Sequence, residues 1–203
     1  MTSEKISEEK PKRRINSKKK GNSFEGQIGK ILADKLKPLK FRRSQSSGAI
    51  LGGENAKFLD QFSNDAKCLF VGDVVPTNET DVAREHGWKF KFTLECKFYK
   101  SCDNLEHLFN NTKIKGWIEQ AISDALKVNK EPLLIFKFNR TDTYCAVPSK
   151  NLIPSSVTRT VKVKFSADEF SAANKFDDGI EITIFTLKDA LNDVDWWKTT
   201  NIL

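Results

Sequence analysis

A carboxylate and a lysine stand two positions apart in the apolar segment Phe92–Phe98 (FTLECKF). Side chains alternate between the two faces of a β-strand, so Glu95 and Lys97 project from the same face. A charged pair on an apolar strand costs folding free energy, so its presence indicates that the charges have a function. Upstream, Asp73 interrupts a second apolar segment, residues 71–75. Two such strands side by side bring these three groups together, where they can bind a divalent metal ion and hydrolyse a phosphodiester.

Less specific explanations exist for each of these residues. An E-x-K sequence also occurs on the solvated face of an antiparallel sheet. Asp73 can be a turn residue at the end of a strand. Other acids, none of which follows a comparable apolar segment, are alternative metal ligands: Asp60, Asp65 and Asp81.

The chemistry assigns a role to each candidate residue. Mg²⁺ takes hard oxygen ligands, so we expect it to bind Asp73, Glu95 and the backbone carbonyl of Cys96, whose thiol then faces the core. Lys97 can orient or deprotonate the attacking water, or stabilise the transition state. Glu25, on a predicted helix, can complete the site through a water or a second ion.

The order of predicted elements indicates a mixed α/β sheet between helices. Apolar residues at helical spacing predict a first helix from Phe24, capped by Ser23 or Asn22 and ended by Pro38. The other predicted helices are 113–129, 167–173 and 187–197. The predicted strands are 67–75, 88–98, 133–138, 143–148, 160–165 and 180–185, with a charged connection at 77–87.

Charge is concentrated at the start of the 203-residue chain. Of the net charge of +7, residues 1–20 contribute +5, from eight basic and three acidic residues. We expect residues 1–19 to be a disordered arm that lies on nucleic acid. The candidate phosphate-binding residues, which can also be solvated surface charges, are Lys18, Lys19, Lys20, Arg42 and Arg43.

Segments typical of membrane or secreted proteins are missing from the sequence. No apolar stretch of membrane-spanning length occurs, and the basic N-terminus is not followed by the apolar core of a signal peptide. The four cysteines have no metal-site spacing, which favours reduced thiols. The sequence therefore predicts a cytoplasmic protein, or a nuclear one if its host is eukaryotic.

Five short motifs occur in an order that resembles the PD-(D/E)XK nucleases, and more narrowly the archaeal-type Holliday junction resolvases. They are KGNSFE at 20–25, RSQSSG at 43–48, GD at 72–73, ECK at 95–97 and WIEQA at 117–121. Together with the strand 132–138, the resemblance covers residues 18–140. It implies catalytic positions for Glu25, Asp73, Glu95 and Lys97, and for a loop serine, Ser46, for which Ser47 aligns equally well.

The resemblance also implies an architecture and a substrate. The fold is expected to be a restriction-endonuclease-like mixed sheet, with a nuclease core at 20–150 and an extension at 151–203 packed on the same domain. The implied ion is Mg²⁺, with Mn²⁺ able to substitute. The implied substrate is branched DNA such as a four-way junction, cut by a homodimer with two symmetric sites.

The sequence departs from the resolvase pattern at three places. Gly72 replaces the motif proline, the spacing between Asp73 and Glu95 is longer, and residues 150–203 have no counterpart in a minimal resolvase. A restriction- or repair-type endonuclease of the same fold, a non-catalytic DNA-binding module and an RNA-directed nuclease therefore stay open.

Overall fold

The computed structural model describes residues 17–44, 61–101, 112–149, 153–166 and 179–200. Within them the helices are α1 (Ser17–Lys35), α2 (Asn64–Lys67), α3 (Glu79–His86), α4 (Thr112–Lys127) and α5 (Leu187–Ala190), with a 3₁₀ turn at Asp195–Trp197. The strands are β1 (Phe41–Arg43), β2 (Val74–Pro76), β3 (Lys89–Phe90), β4 (Phe92–Tyr99), β5 (Glu131–Phe138), β6 (Thr143–Pro148), β7 (Val161–Phe165), β8 (Ile180–Thr186) and β9 (Lys198–Thr199). No described helix is both long enough and apolar enough to cross a membrane.

Seven strands form one mixed sheet in the order β1-β2-β4-β5-β6-β8-β7. Only the central pair, β4 and β5, is parallel, and the other neighbours are antiparallel. A parallel pair needs a long crossover, which here contains α4. The predicted mixed α/β sheet between helices is confirmed, and β4, the strand that carries Glu95 and Lys97, lies inside it.

The two faces of the sheet pack against different helices. Alternate residues of β4 and β5 contribute Leu94, Cys96, Leu133 and Ile135 to a core shared with α1. The thiol of Cys96 therefore faces the core, as predicted. Leu134, Phe136 and Phe138 of β5 belong to the other core, which is shared with Ile114, Trp117, Ile118 and Ile122 of α4.

The first helix begins earlier than the sequence pattern indicated. It starts at Ser17, not at the predicted Asn22 or Ser23 cap, so residues 17–19 are helical and the prediction that the disordered arm extends to residue 19 is wrong. Lysine is a good helix former, and Lys20 anchors the additional turn. Its ammonium lies 3.8 Å from the centre of the Phe98 ring and donates a 2.7 Å hydrogen bond to Asn139 Oδ1.

The prediction of a strand at 67–75 is wrong for most of that segment. Ser63 caps the short helix α2 by accepting a hydrogen bond from the Ala66 N–H, and the chain then turns until β2 begins at Val74. Cys68 and Val71 are buried against Val128 at the end of α4. The apolar run thus reflects burial of a turn and not strand pairing.

Three further elements differ from the predictions. The connection 77–87 contains a helix, α3, and the strand predicted at 88–98 is divided into β3 and β4. The helix predicted at 187–197 is only the single turn of α5, followed by the separate 3₁₀ turn. The predicted helix 167–173 lies outside the described residues.

The segment 195–199 covers the start of β4. β9 pairs antiparallel with β3, and the indole of Trp197 is fully buried against Phe90 and Phe92. Trp196 packs on Phe92 with ring centres 4.4 Å apart. The position of β4 therefore depends on contacts with residues more than 90 positions away in the sequence.

Candidate active site

Backbone and side-chain hydrogen bonds fix Asp73 beside β4. Its N–H donates to the Leu94 carbonyl, and its own carbonyl accepts from the Ser44 N–H, each at 2.8 Å. Its Oδ2 accepts a 2.8 Å hydrogen bond from the Cys96 N–H. The carboxylate, which is only 8% exposed, is thereby placed against the E-x-K segment. Sequence reasoning had placed these groups on adjacent strands, and the structure brings them together.

Gly72 allows this close approach of the Asp73 segment to β4. Its φ is +95°, and a Cβ atom would stand 3.0 Å from the Leu94 carbonyl oxygen and 3.1 Å from Thr93 Cγ2. A left-handed backbone and a backbone atom at that distance both disfavour a side chain. The glycine that replaces the motif proline is therefore required by this local geometry.

We expect Gly72→Ala to lower the free energy of unfolding by about 2–4 kcal/mol, measured by urea denaturation. Gly87→Ala is the matched control, because Gly87 has φ +72° but open space where the Cβ would stand. Gly87→Ala should lose only the roughly 1–2 kcal/mol that a left-handed backbone costs a residue with a Cβ atom. Equal losses in the two variants would contradict a role for the close approach at Gly72.

Glu95 and Lys97 form an ion pair on the face of β4 that is turned toward α4. The Lys97 ammonium contacts Glu95 Oε1, and it donates a 3.2 Å hydrogen bond to Gln120 Oε1 of α4. Glu95 is 2% exposed, and its Oε1 accepts no hydrogen bond of regular geometry from the described residues. The prediction that Glu95 and Lys97 share a face is confirmed.

The buried carboxylates near Glu95 outnumber the positive charge of Lys97. Burial and the neighbouring Asp73 raise the pKa of Glu95 to about 8, with Lys97 opposing and Asp124 adding to the rise. Burial lowers the pKa of Lys97, but the contact with Glu95 and the charge of Asp73 outweigh it and raise that pKa on balance. A bound cation would relieve the repulsion between these carboxylates.

Glu25 approaches the same corner of the site from α1. Burial and the charge of Asp73 raise the pKa of its carboxyl group, while Arg43 and Lys97 act in the opposite direction. Its Oε2 lies 3.6 Å from Arg43 Nε on β1. The structure thus brings Glu25, predicted from its place on the first helix, close to the carboxylate of Asp73.

Asp124 of α4 was not among the residues singled out from the sequence. It is buried, forms a 2.6 Å ion pair with Lys127, and is close enough to Glu95 to raise its pKa. It stands four positions after Gln120, so the two share a helix face. That spacing, on a helix expected to pack against the sheet, is the signal by which Asp124 could have been found.

The donor atoms at this edge suit a divalent metal ion such as Mg²⁺. No three His, Cys, Asp or Glu side chains in the described segments are arranged as a metal cluster. Mg²⁺ needs only one or two protein carboxylates, with water and phosphate oxygens completing its shell. Asp73 and Glu95 provide these, and alternation along β4 turns the Cys96 carbonyl toward the same edge as its N–H. The repulsion between the buried Glu95 and Asp73 carboxylates, which raises the pKa of Glu95 in spite of its ion pair with Lys97, is the observation that favours a cation here.

The remaining predicted residues are placed as follows. Ser46 and the alternative Ser47 lie outside the described residues. Lys18, Lys19 and Lys20 lie on the first turns of α1. Arg42 Nη2 donates a 3.4 Å hydrogen bond to the Leu69 carbonyl. Their contacts with phosphate stay predictions.

A mixed sheet whose central strand carries E-x-K, next to an aspartate that precedes a neighbouring strand, defines the PD-(D/E)XK class of nucleases. The family model described as "Phage putative PDDEXK endonuclease" matches residues 16–198, and the chain belongs to that family. Searches of curated proteins and of solved structures gave no significant match. Nucleases of this class generally depend on a divalent metal ion.

Proposed function

We propose that this protein is a Mg²⁺-dependent endonuclease that cuts branched DNA, as a Holliday junction resolvase does. The observation that carries the proposal is the buried Glu95–Lys97 pair beside the Asp73 carboxylate, at the sheet edge where β2 begins. Membership of an endonuclease family supports the chemistry. The order of the five motifs supports the branched substrate. Mn²⁺ is expected to substitute for Mg²⁺.

Different residues of the site would have different roles in hydrolysis. When bound, the ion would lower the pKa of water and offset charge on the scissile phosphate. Asp73 and Glu95 would hold it, with the Cys96 carbonyl and Glu25 as further ligands, directly or through water. Lys97, held by Gln120, is placed to stabilise the charge that develops on the phosphate as water adds and the P–O bond to the leaving oxygen breaks.

A two-fold dimer and an extended DNA contact belong to the same proposal. Symmetric cutting of a junction requires two sites, which a homodimer provides. The basic residues of the N-terminal region, Lys18, Lys19 and Lys20 among them, would neutralise phosphates, joined by Arg42 and Arg43 next to the site. The serine loop at 46–47 would lie close to the scissile phosphate.

The test is cleavage of a four-way junction, a flap and a linear duplex of related sequence, and of an RNA duplex of that sequence, by wild-type protein and Asp73→Ala, in Mg²⁺ and in Mn²⁺. We expect the wild type to cut the junction fastest and the variant to bind it without cutting. Preferred cutting of duplex would favour the restriction- or repair-type alternative. Binding without any cutting by the wild type would favour a DNA-binding module, and preferred cutting of RNA an RNA-directed nuclease.

We expect Lys18→Gln/Lys19→Gln to weaken duplex binding and to reduce the slope of log K against log salt by about 1–2, because each phosphate contact contributes about 0.9. Lys30→Gln/Lys35→Gln removes the same charge farther along α1 and is the matched control. Fluorescence anisotropy in Ca²⁺ at several salt concentrations measures the affinity for duplex and its salt dependence. Identical slopes for the two double variants would argue against phosphate contacts at the start of α1.

A further inference from the structure

An aromatic side chain, Tyr99, continues the row of functional groups on β4. Residues 95, 97 and 99 lie on one face of the strand, so Tyr99 stands about 7 Å beyond Lys97 along the strand. It is 40% exposed, although it is a large aromatic residue in a strand whose first five residues are buried. An exposed ring at this distance from the reacting groups is within reach of a nucleotide next to the scissile phosphate.

The Tyr99 ring is supported from behind by other aromatic residues. Its centre lies 4.8 Å from that of Trp117 on α4, with 36° between the ring planes. Trp117 in turn contacts Phe136, which stacks on Tyr144. One side of Tyr99 is therefore fixed by the core while the ring stays exposed. A ring held in this way loses little conformational entropy when a ligand stacks on it.

Three basic residues lie near the same end of β4. Lys100 follows Tyr99, and its carbonyl accepts a hydrogen bond from the Asn139 N–H, which places the β5–β6 turn beside it. Arg140 belongs to that turn. Lys20 reaches this turn through its hydrogen bond to Asn139. Lys20 lies over the Phe98 ring, on the face of β4 opposite to Tyr99, so these cations flank the end of the strand and not the ring itself. Proteins bind single-stranded nucleic acid with cations that contact phosphates and with aromatic side chains on which bases stack.

We propose that Tyr99 stacks on an unpaired base of the substrate, next to the phosphate that is cut. The inference rests on the proposed function and specifies the DNA that the site accepts. In an intact duplex both faces of each base are covered by its neighbours, so a stacking residue contributes little to the affinity for duplex. At a junction, flap or gap a base face is free. Tyr99 is thus a specificity-determining residue that selects DNA with an unpaired base beside the cleavage position.

The experiment measures binding, not cutting. A flap and a matched duplex carrying 2-aminopurine near the branch are titrated with full-length protein in Ca²⁺. We expect wild type to quench the flap fluorescence. Tyr99→Leu should abolish the quench and weaken flap binding by about 5- to 100-fold, with duplex binding changed less than about twofold. Tyr99→Phe should resemble wild type.

Phe62→Leu is the matched control, because Phe62 is also an exposed aromatic residue but precedes α2, which contacts the opposite end of α4 from Trp117. It should leave the quench unchanged. If Tyr99→Leu does not fold, Tyr99→Trp decides, since a larger ring should deepen the quench and tighten flap binding. Thermal unfolding of each variant identifies loss of fold.

The outcomes separate this inference from the proposed function. An unchanged quench in Tyr99→Leu, or equal weakening of flap and duplex binding, would overturn the stacking role whatever the enzyme cuts. A quench that depends on Tyr99, without cutting in Mg²⁺ or Mn²⁺, would uphold stacking and refute the nuclease. Absence of any DNA binding by the wild type would overturn both.

Discussion

Replacing Lys97 by methionine is expected to slow single-turnover cleavage by about 10²- to 10⁴-fold, with DNA binding changed by less than about tenfold. Methionine keeps much of the chain length and volume but removes the charge. The ammonium contacts Glu95 and Gln120 and is only partly exposed, so solvent cannot replace it efficiently at the phosphate. The measurement is product formation with enzyme in excess over a labelled junction in Mg²⁺.

Lys97→Arg separates charge stabilisation by the lysine from proton transfer. Arginine keeps a positive charge but does not deprotonate at accessible pH. Substantial activity in this variant would favour charge stabilisation, whereas loss equal to that of Lys97→Met would favour a proton-transfer role or a strict geometric requirement. Lys162→Met removes another strand lysine paired with a glutamate, Glu181 on β8, and is the matched control. Full activity of Lys97→Met would refute the assignment of this site.

Glu95→Gln is expected to abolish cleavage and yet stabilise the metal-free protein at alkaline pH by about 2–4 kcal/mol. The pKa of Glu95 is about 8 in the fold, above its ordinary value of 4.5. The folded state therefore binds a proton more tightly than the unfolded state. Stability is fully present below about pH 4.5 and is lost as the pH rises to about 8, where folding must retain a buried carboxylate. Glutamine removes that penalty.

Urea denaturation of metal-free protein between pH 5 and pH 9 measures this effect. Wild type should lose stability across the range, and Glu95→Gln should show a flatter profile. Mg²⁺ at pH 8 should raise the unfolding temperature of wild type more than that of the variant, because the ion favours the ionised carboxylate. The control is Glu181→Gln, since Lys162 and Ser149 hold the pKa of that partly exposed carboxyl below its ordinary value, so no gain in stability should follow. Parallel profiles for wild type and Glu95→Gln would contradict the raised pKa of Glu95 in the folded protein.

The strand β4 could be predicted from sequence because the alternation of its residues is a local pattern. Alternation along FTLECKF placed Glu95 and Lys97 on one face and the Cys96 thiol on the other. The same applies to α4 and to strands β5, β6 and β8, whose apolar runs match their periodicities. In each case the pattern within one segment was enough to predict the element, because burial on a sheet or helix face repeats at a fixed interval.

The structural features that could not be predicted from the sequence depend on contacts between distant segments. The additional turn of α1 is held by Lys20 on Phe98 and Asn139. The segment before Asp73 is a turn because its apolar residues pack on the end of α4. Asp124 faces Glu95 only once α4 has crossed over the sheet. None of these contacts repeats along the chain, so periodicity does not predict them. For Asp124, the spacing from Gln120 predicts a shared helix face but not its neighbour on the sheet.

The packing of Trp196 and Trp197 on Phe90 and Phe92 has a consequence for the order in which the protein becomes active. Replacing one buried tryptophan by alanine costs about 3–5 kcal/mol, and small domains are stable by only about 5–15 kcal/mol. A nascent chain that has not yet released residue 197 from the ribosome therefore lacks the contacts that fix the start of β4. Its E-x-K segment cannot be held beside Asp73 until synthesis has passed that point. Hydrolytic capacity is thus delayed until residues 196 and 197 can pack on the start of β4.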